Sequence, residues 1–85
     1  MKKPTQDVYV QRLFGENLKA LRKAQQLTQE QLAEKATLHI NYISAVERGL
    51  KNISIVNIEK LAKALGVTMG VLVDESDSRP GAQHR

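Results

Sequence analysis

The sequence predicts an all-α fold, a compact domain of five helices. Three observations predict it. Apolar residues recur at spacings of three and four along most of the chain, and no run shows the alternation that a half-buried strand needs. Start and stop signals bracket those runs: Thr28 and Ser54 can accept the free N–H groups of a first turn, while Gly49 and Gly66 can end a helix in the left-handed conformation. Aromatics are only 4% of a chain that is 41% hydrophobic, so the core is aliphatic, as suits helix packing.

Taken in order, residues 1–5 form a basic N-terminal tail, expected to be disordered. Thr5 is placed to cap a first helix, with Asp7 near its positive end. Val10, Phe14, Leu18 and Leu21 then predict a buried stripe. Gly15 interrupts this helix at a cost of roughly 1 kcal/mol relative to Ala, which points to close approach of a neighbouring helix. The helix ends near Gln25-Gln26. Thr28 caps the next, with Gln31 three residues on to complete a capping box, and Leu32, Ala33 and Ala36 recur at helical spacing. Thr37-Leu38-His39 is too short for a linker and carries an apolar residue in its middle. Ile43 and Val46 give the third helix a narrow inward stripe before Gly49 stops it. Two helices joined so tightly must cross steeply, as in a helix-turn-helix, whose second helix can enter the major groove of DNA. After the loop at 49–53, Ser54 caps a fourth helix carrying Ile58, Leu61, Ala62 and Leu65, which ends at Gly66. Thr68 starts a short fifth helix through Met69, Val71, Leu72 and Val73. A helix-turn-helix domain, of a kind able to bind DNA, is thus expected over 6–73, and the polar run 74–85 is read as a mobile C-terminal tail.

Composition excludes several classes. At 85 residues there is room for one domain, and without cysteine neither a disulfide nor a thiolate metal site supports it. No apolar run has the length of a membrane span and no signal-peptide pattern opens the chain, so a cytoplasmic protein is expected, nucleoid-associated when bound to DNA. The net charge is +4; the tail holds three acids against two arginines, −1, which leaves +5 on the body. That charge suits a polyanion without demanding one. Neither histidine has an acidic residue at ligand spacing, Ser44 has no activating arrangement, and no glycine-rich phosphate loop is present. No enzyme, no metal and no cofactor are expected.

The stretch FGENLKALRKAQQLTQEQLAEKATLHINYISAVERG, followed by KNISIVNIEKLAKALGVTMGVLV, resembles the phage repressor and Cro type of helix-turn-helix regulators, over about residues 14–73. LRK at 21–23, LTQEQLA at 27–33, YIS at 42–44, VERG at 46–49 and LAKALGV at 61–67 carry the likeness. The compact length and the run VERGLKNISIVNIEKLAKAL look most like the controller proteins of bacterial restriction–modification systems. The resemblance implies a lambda-repressor-like domain, often dimeric, that binds palindromic operators to repress or activate promoters. Three departures stand out. Thr37 and Gln26 occupy positions where such proteins usually or frequently have glycine, and His39-Ile40 replaces the more usual polar cap and polar reader.

The resemblance further implies that Arg22 and Glu47 pair to tie the first helix to the end of the recognition helix. Base readers are expected to be Asn41, Ile40, Ser44 and Ala45, with adenine suiting Asn41 and thymine methyls suiting Ile40 and Ala45. Backbone contacts are assigned to Gln29, His39, Tyr42, Arg48, Lys51 and Asn52; Gln29 sits at a helix N-terminus, where amide and N–H groups can hold a phosphate. Lys19 and Lys23 read as a solvated face. Val67, Met69, Val71 and Val73 exceed what so short a helix can bury, which makes them a candidate two-fold dimer surface. The expected partners are double-stranded DNA, a second copy of the chain and, at promoters, RNA polymerase; no membrane is involved. The rival reading is an antitoxin or adaptor that uses the helix-turn-helix surface to bind protein, to which Ile40 and Tyr42 give some footing.

Overall fold

Five α-helices make up residues 6–75, the part of the chain that the computed structural model describes, and no strand occurs among them. They are α1 (Gln6–Ala24), α2 (Gln29–Ala36), α3 (Ile40–Glu47), α4 (Ile55–Leu65) and α5 (Met69–Leu72). The expected cap at Thr5, the side chain of Asp7 and the tail segments 1–5 and 76–85 lie outside the described residues.

Local chemistry starts each of the later helices. The Thr28 hydroxyl accepts the Gln31 N–H at 3.0 Å and the Gln31 side chain accepts the Thr28 N–H at 2.9 Å, a full capping box. Ser54 accepts the Asn57 N–H at 3.1 Å, and Thr68 accepts the Val71 N–H at 3.3 Å. His39 is itself the cap of α3: its Nδ1 accepts the Asn41 N–H at 3.0 Å.

Four helices end alike, on a left-handed residue: Gln26 at φ 59°, Thr37 at φ 58°, Gly49 at φ 77° and Gly66 at φ 69°. At Thr37 its own N–H bonds the Glu34 carbonyl at 3.2 Å and the Leu38 N–H bonds the Ala33 carbonyl at 2.9 Å, so two orphan carbonyls are satisfied. A side chain in this region costs about 1–2 kcal/mol. Gln26 and Thr37 therefore carry strain at the two positions where glycine was the expected residue.

The centre of the core draws one fully buried branched side chain from every helix: Leu18, Leu32, Ile43, Leu61 and Leu72. Phe14, Leu21, Ala33, Ala36, Val46, Ala62 and Leu65 surround them. Val10 does not join the stripe predicted for it and is 49% exposed. Val8, Tyr9 and Val10 are all exposed, so the start of α1 contributes little to the core. Gly15 lies where α1 crosses the end of α3. A Cβ there would stand 2.5 Å from the Val46 carbonyl oxygen and 2.7 Å from that of Glu47, which only glycine permits.

Two amides fasten the helix ends across long sequence distances. Asn17, fully buried on α1, donates to the carbonyls of Leu72 at 3.0 Å and Asp74 at 2.9 Å, which holds the end of α5. Its own Oδ1 is buried and has no hydrogen-bond partner among the described residues. Gln25 donates to the Leu65 carbonyl at 2.7 Å and so covers the end of α4.

Candidate nucleic-acid interface

A single carboxylate sets the position of α3. Arg22 Nε lies 2.7 Å from Glu47 Oε2 and its second terminal nitrogen 3.1 Å from Oε1, a two-pronged contact that shields both side chains from water. The remaining terminal nitrogen of Arg22 donates to the Leu27 carbonyl at 2.7 Å. Gln29, at the start of α2, donates to Glu47 Oε1 at 2.9 Å. Glu47 therefore joins α1, α2 and α3 at one point. The backbone role expected for Gln29 needs correcting to this extent: its amide is engaged by Glu47, since α2 begins beside the end of α3, and one of its two N–H bonds is used there.

With Ile43, Val46 and Glu47 turned inward, Asn41 and Arg48 are exposed on the opposite face of α3, and Ser44 is half-exposed. Ile40, at the first turn, is 37% exposed. Ala45 is a correction: it is 9% exposed, so its methyl is not offered to a base. Tyr42 is half-buried. Its ring packs against the core and its hydroxyl accepts from Asn57 Nδ2 at 3.1 Å, which ties α3 to α4. His39 accepts with Nδ1 in the cap, so its proton sits on Nε2.

Beyond α3, Arg48 folds back to donate to the Ser44 carbonyl at 3.3 Å, while Lys51 and Asn52 are exposed in the loop. This clusters cations where the helix dipole is negative, beside the exposed face of α3. The surplus expected on α5 is smaller than its sequence suggests. Val67, Met69 and Val71 are half-buried against the chain's own core, because Asn17 draws α5 onto α1; Val73 is 47% exposed. Sequence reasoning missed Asn17 and Gln25, since nothing local announces a bond to a carbonyl 55 or 40 residues away. No group of three His, Cys, Asp or Glu side chains capable of holding a metal occurs among the described residues, and none of their helices is long and apolar enough to cross a membrane.

The model of a helix-turn-helix family matches residues 18–72. The chain belongs to that family. The control protein C.BamHI of Bacillus amyloliquefaciens is 46% identical over 63 residues, which cover 73% of this chain and 78% of that protein. Among solved structures, the restriction–modification controller protein C.AhdI of Aeromonas hydrophila superposes with a TM-score of 0.72 at 45% identity, over 73% of this chain and 94% of that one. The biofilm regulator SinR, solved in complex with DNA, superposes at 0.69 with 37% identity, over 72% of this chain and 98% of that one. The likeness to phage repressor and Cro-type regulators, and to controller proteins in particular, is thus found in both sequence and fold. The family match begins at α1 and ends inside α5, so the frame around Glu47 lies wholly within it.

Proposed function

We propose that this helix-turn-helix transcription regulator acts as a homodimer on a palindromic operator and controls a restriction–modification operon. The observation that carries the proposal is the combination at α3: an exposed face of Asn41, Ser44 and Arg48 on a helix whose orientation is fixed by the Arg22–Glu47–Gln29 contacts. Such a face is held rigid before any partner arrives, as direct readout of bases requires. Asn41 suits the N6 and N7 edge of adenine, Ile40 a thymine methyl, and His39 Nε2–H, Arg48, Lys51, Asn52 and the second N–H of Gln29 suit phosphates. The reading helix lacks glutamine and its one arginine is at its very end, which favours A·T pairs under its first turns. In a dimer the two copies of α3 would stand about 34 Å apart. Val73, with the half-buried Val67, Met69 and Val71, is the surface proposed for that contact. A promoter-bound dimer would then meet RNA polymerase. The likeness to C.BamHI and C.AhdI supports the operon assignment.

The competing protein-binding reading has lost one of its two supports, because Tyr42 is bonded to Asn57 and packed on the core. Selection on random duplexes tests the proposal. The parent should enrich a two-fold symmetric site, and Asn41→Ala should relax one base position per half-site at a cost of about 1–3 kcal/mol. Enrichment of no site, or a preference unchanged in Asn41→Ala, would overturn it.

A further inference from the structure

We propose that Arg12, Lys19 and Lys23 of α1 form a second row of phosphate contacts, which spans the major groove occupied by α3. This rests on the DNA-binding function proposed above and adds to it a helix outside the helix-turn-helix itself.

Gly15 marks the direction of α3 on the α1 surface, because its absent Cβ points at the carbonyl oxygens of Val46 and Glu47. From that direction, at about 100° per residue, Phe14, Leu18 and Leu21 lie roughly 60–120° to one side. Arg12, Lys19 and Lys23 lie roughly 40–80° to the other, with Glu16 at their outer edge near 100°. The first three are buried core residues and the three cations are exposed. α1 therefore crosses the end of α3 with its core residues on the buried flank of α3 and its cations on the opposite flank. On α3 that opposite flank carries Asn41, Ser44 and Arg48. The cation row and the reading face look the same way.

Both ends of the row adjoin residues already assigned to phosphates. A Cβ on Gly49 would stand 3.0 Å from Arg12 Cγ and 3.1 Å from its Cα, so Arg12 flanks the turn between Arg48 and Lys51. Lys23 follows Arg22, whose guanidinium shares Glu47 with Gln29 at the start of α2. From Arg12 to Lys23 the helix rises about 16 Å at ~1.5 Å per residue, against a groove about 12 Å wide. Arg12 thus reaches one wall of the groove together with Arg48 and Lys51. Lys19 and Lys23, one turn apart, reach the other together with Gln29.

Fluorescence anisotropy of the full chain on a mixed-sequence duplex of roughly 30 base pairs, between about 50 and about 200 mM KCl, tests this. Each phosphate contact contributes about 0.9 to the slope of log affinity against log salt. The triple variant Arg12→Gln, Lys19→Gln, Lys23→Gln should lose about 2.7 from that slope, so the parent falls about 40-fold further over the fourfold rise in salt. Lys60→Gln with Lys63→Gln, which removes two exposed charges from α4, should change the slope by less than about one. The three single variants, each expected to lose about 0.9, serve equally if the triple variant fails to fold. A loss below about one in the triple variant overturns the row, as does an equal loss per charge in the α4 variant, which would mean that only bulk charge matters. If the parent itself shows no salt-dependent binding to any duplex, the DNA-binding function falls first and takes the row with it.

Discussion

Truncating Glu47 to alanine should remove a large part of the stability of this domain. In the folded chain its carboxylate receives Arg22 Nε at 2.7 Å, another Arg22 nitrogen at 3.1 Å and the Gln29 amide at 2.9 Å, with side-chain exposures of 10% for Arg22 and 2% for Glu47. Without it the guanidinium stays largely buried and keeps only its bond to the Leu27 carbonyl. Stranding one partner of such a pair costs about 3–5 kcal/mol. A chain of this size has a total stability of about 4–13 kcal/mol, at ~0.05–0.15 kcal/mol per residue. Urea unfolding followed by circular dichroism should therefore show a midpoint lowered by about 3 M or more, given a slope near 1 kcal/mol/M. Glu47→Gln, which keeps one acceptor but turns an N–H towards the guanidinium, should cost about 2–3 kcal/mol and remain measurable if the alanine variant does not fold. The double variant Arg22→Met, Glu47→Leu should recover most of the loss, because no charge is left unpaired. A loss below about 1 kcal/mol in Glu47→Ala would refute the reasoning, since that is the behaviour of an exposed pair.

Thr37→Gly and Gln26→Gly should each raise stability by about 0.5–1 kcal/mol in the same assay, because left-handed strain is relieved by more than the added chain entropy costs. A urea midpoint unchanged in both would show that the strain is absent. Gly15→Ala should lower stability by about 1–3 kcal/mol, since the atoms met at 2.5 and 2.7 Å are backbone and cannot swing aside. An unaltered denaturation midpoint would contradict that close approach. Asn17→Asp should cost more than about 3 kcal/mol, as it sets buried oxygens against the carbonyls of Leu72 and Asp74, whereas Asn17→Leu should cost about 1–3 kcal/mol. Equal stability of the two variants would mean that the amide does not hold α5.

The helix starts were legible because capping is local: Thr28 and Gln31 are three residues apart, as are Ser54 and Asn57, and the chemistry closes within one turn. Left-handed ends were legible from the residue itself at Gly49 and Gly66, whereas at Gln26 and Thr37 only the resemblance marked a glycine position, and the hydrogen bonds of the turn hold an unfavourable side chain there. The misplacements of Val10 and Ala45 share a cause. Periodicity gives the direction in which a side chain points and says nothing about whether a neighbour stands there. Val10 lies exposed near the start of α1, and Ala45 is buried although it lies away from Ile43 and Val46 on α3. The site behaved similarly. Arg22 and Glu47 were identifiable only by likeness to known regulators, and the third member of that contact, Gln29, emerged only from the geometry.

Leu72 belongs to the shortest helix, yet it fills the middle of the core beside one residue from each of the other four. The order of synthesis gives that placement a consequence. The recognition helix leaves the ribosome well before Leu72, but until Leu72 emerges the centre of the domain has a side-chain-sized hole, and Asn17 has no carbonyls to hold. A nascent chain that has delivered α3 should therefore still lack the packing that fixes its position. The interval ends only when α5 docks, so a chain broken off anywhere before that helix should be degraded and not act as a partial regulator.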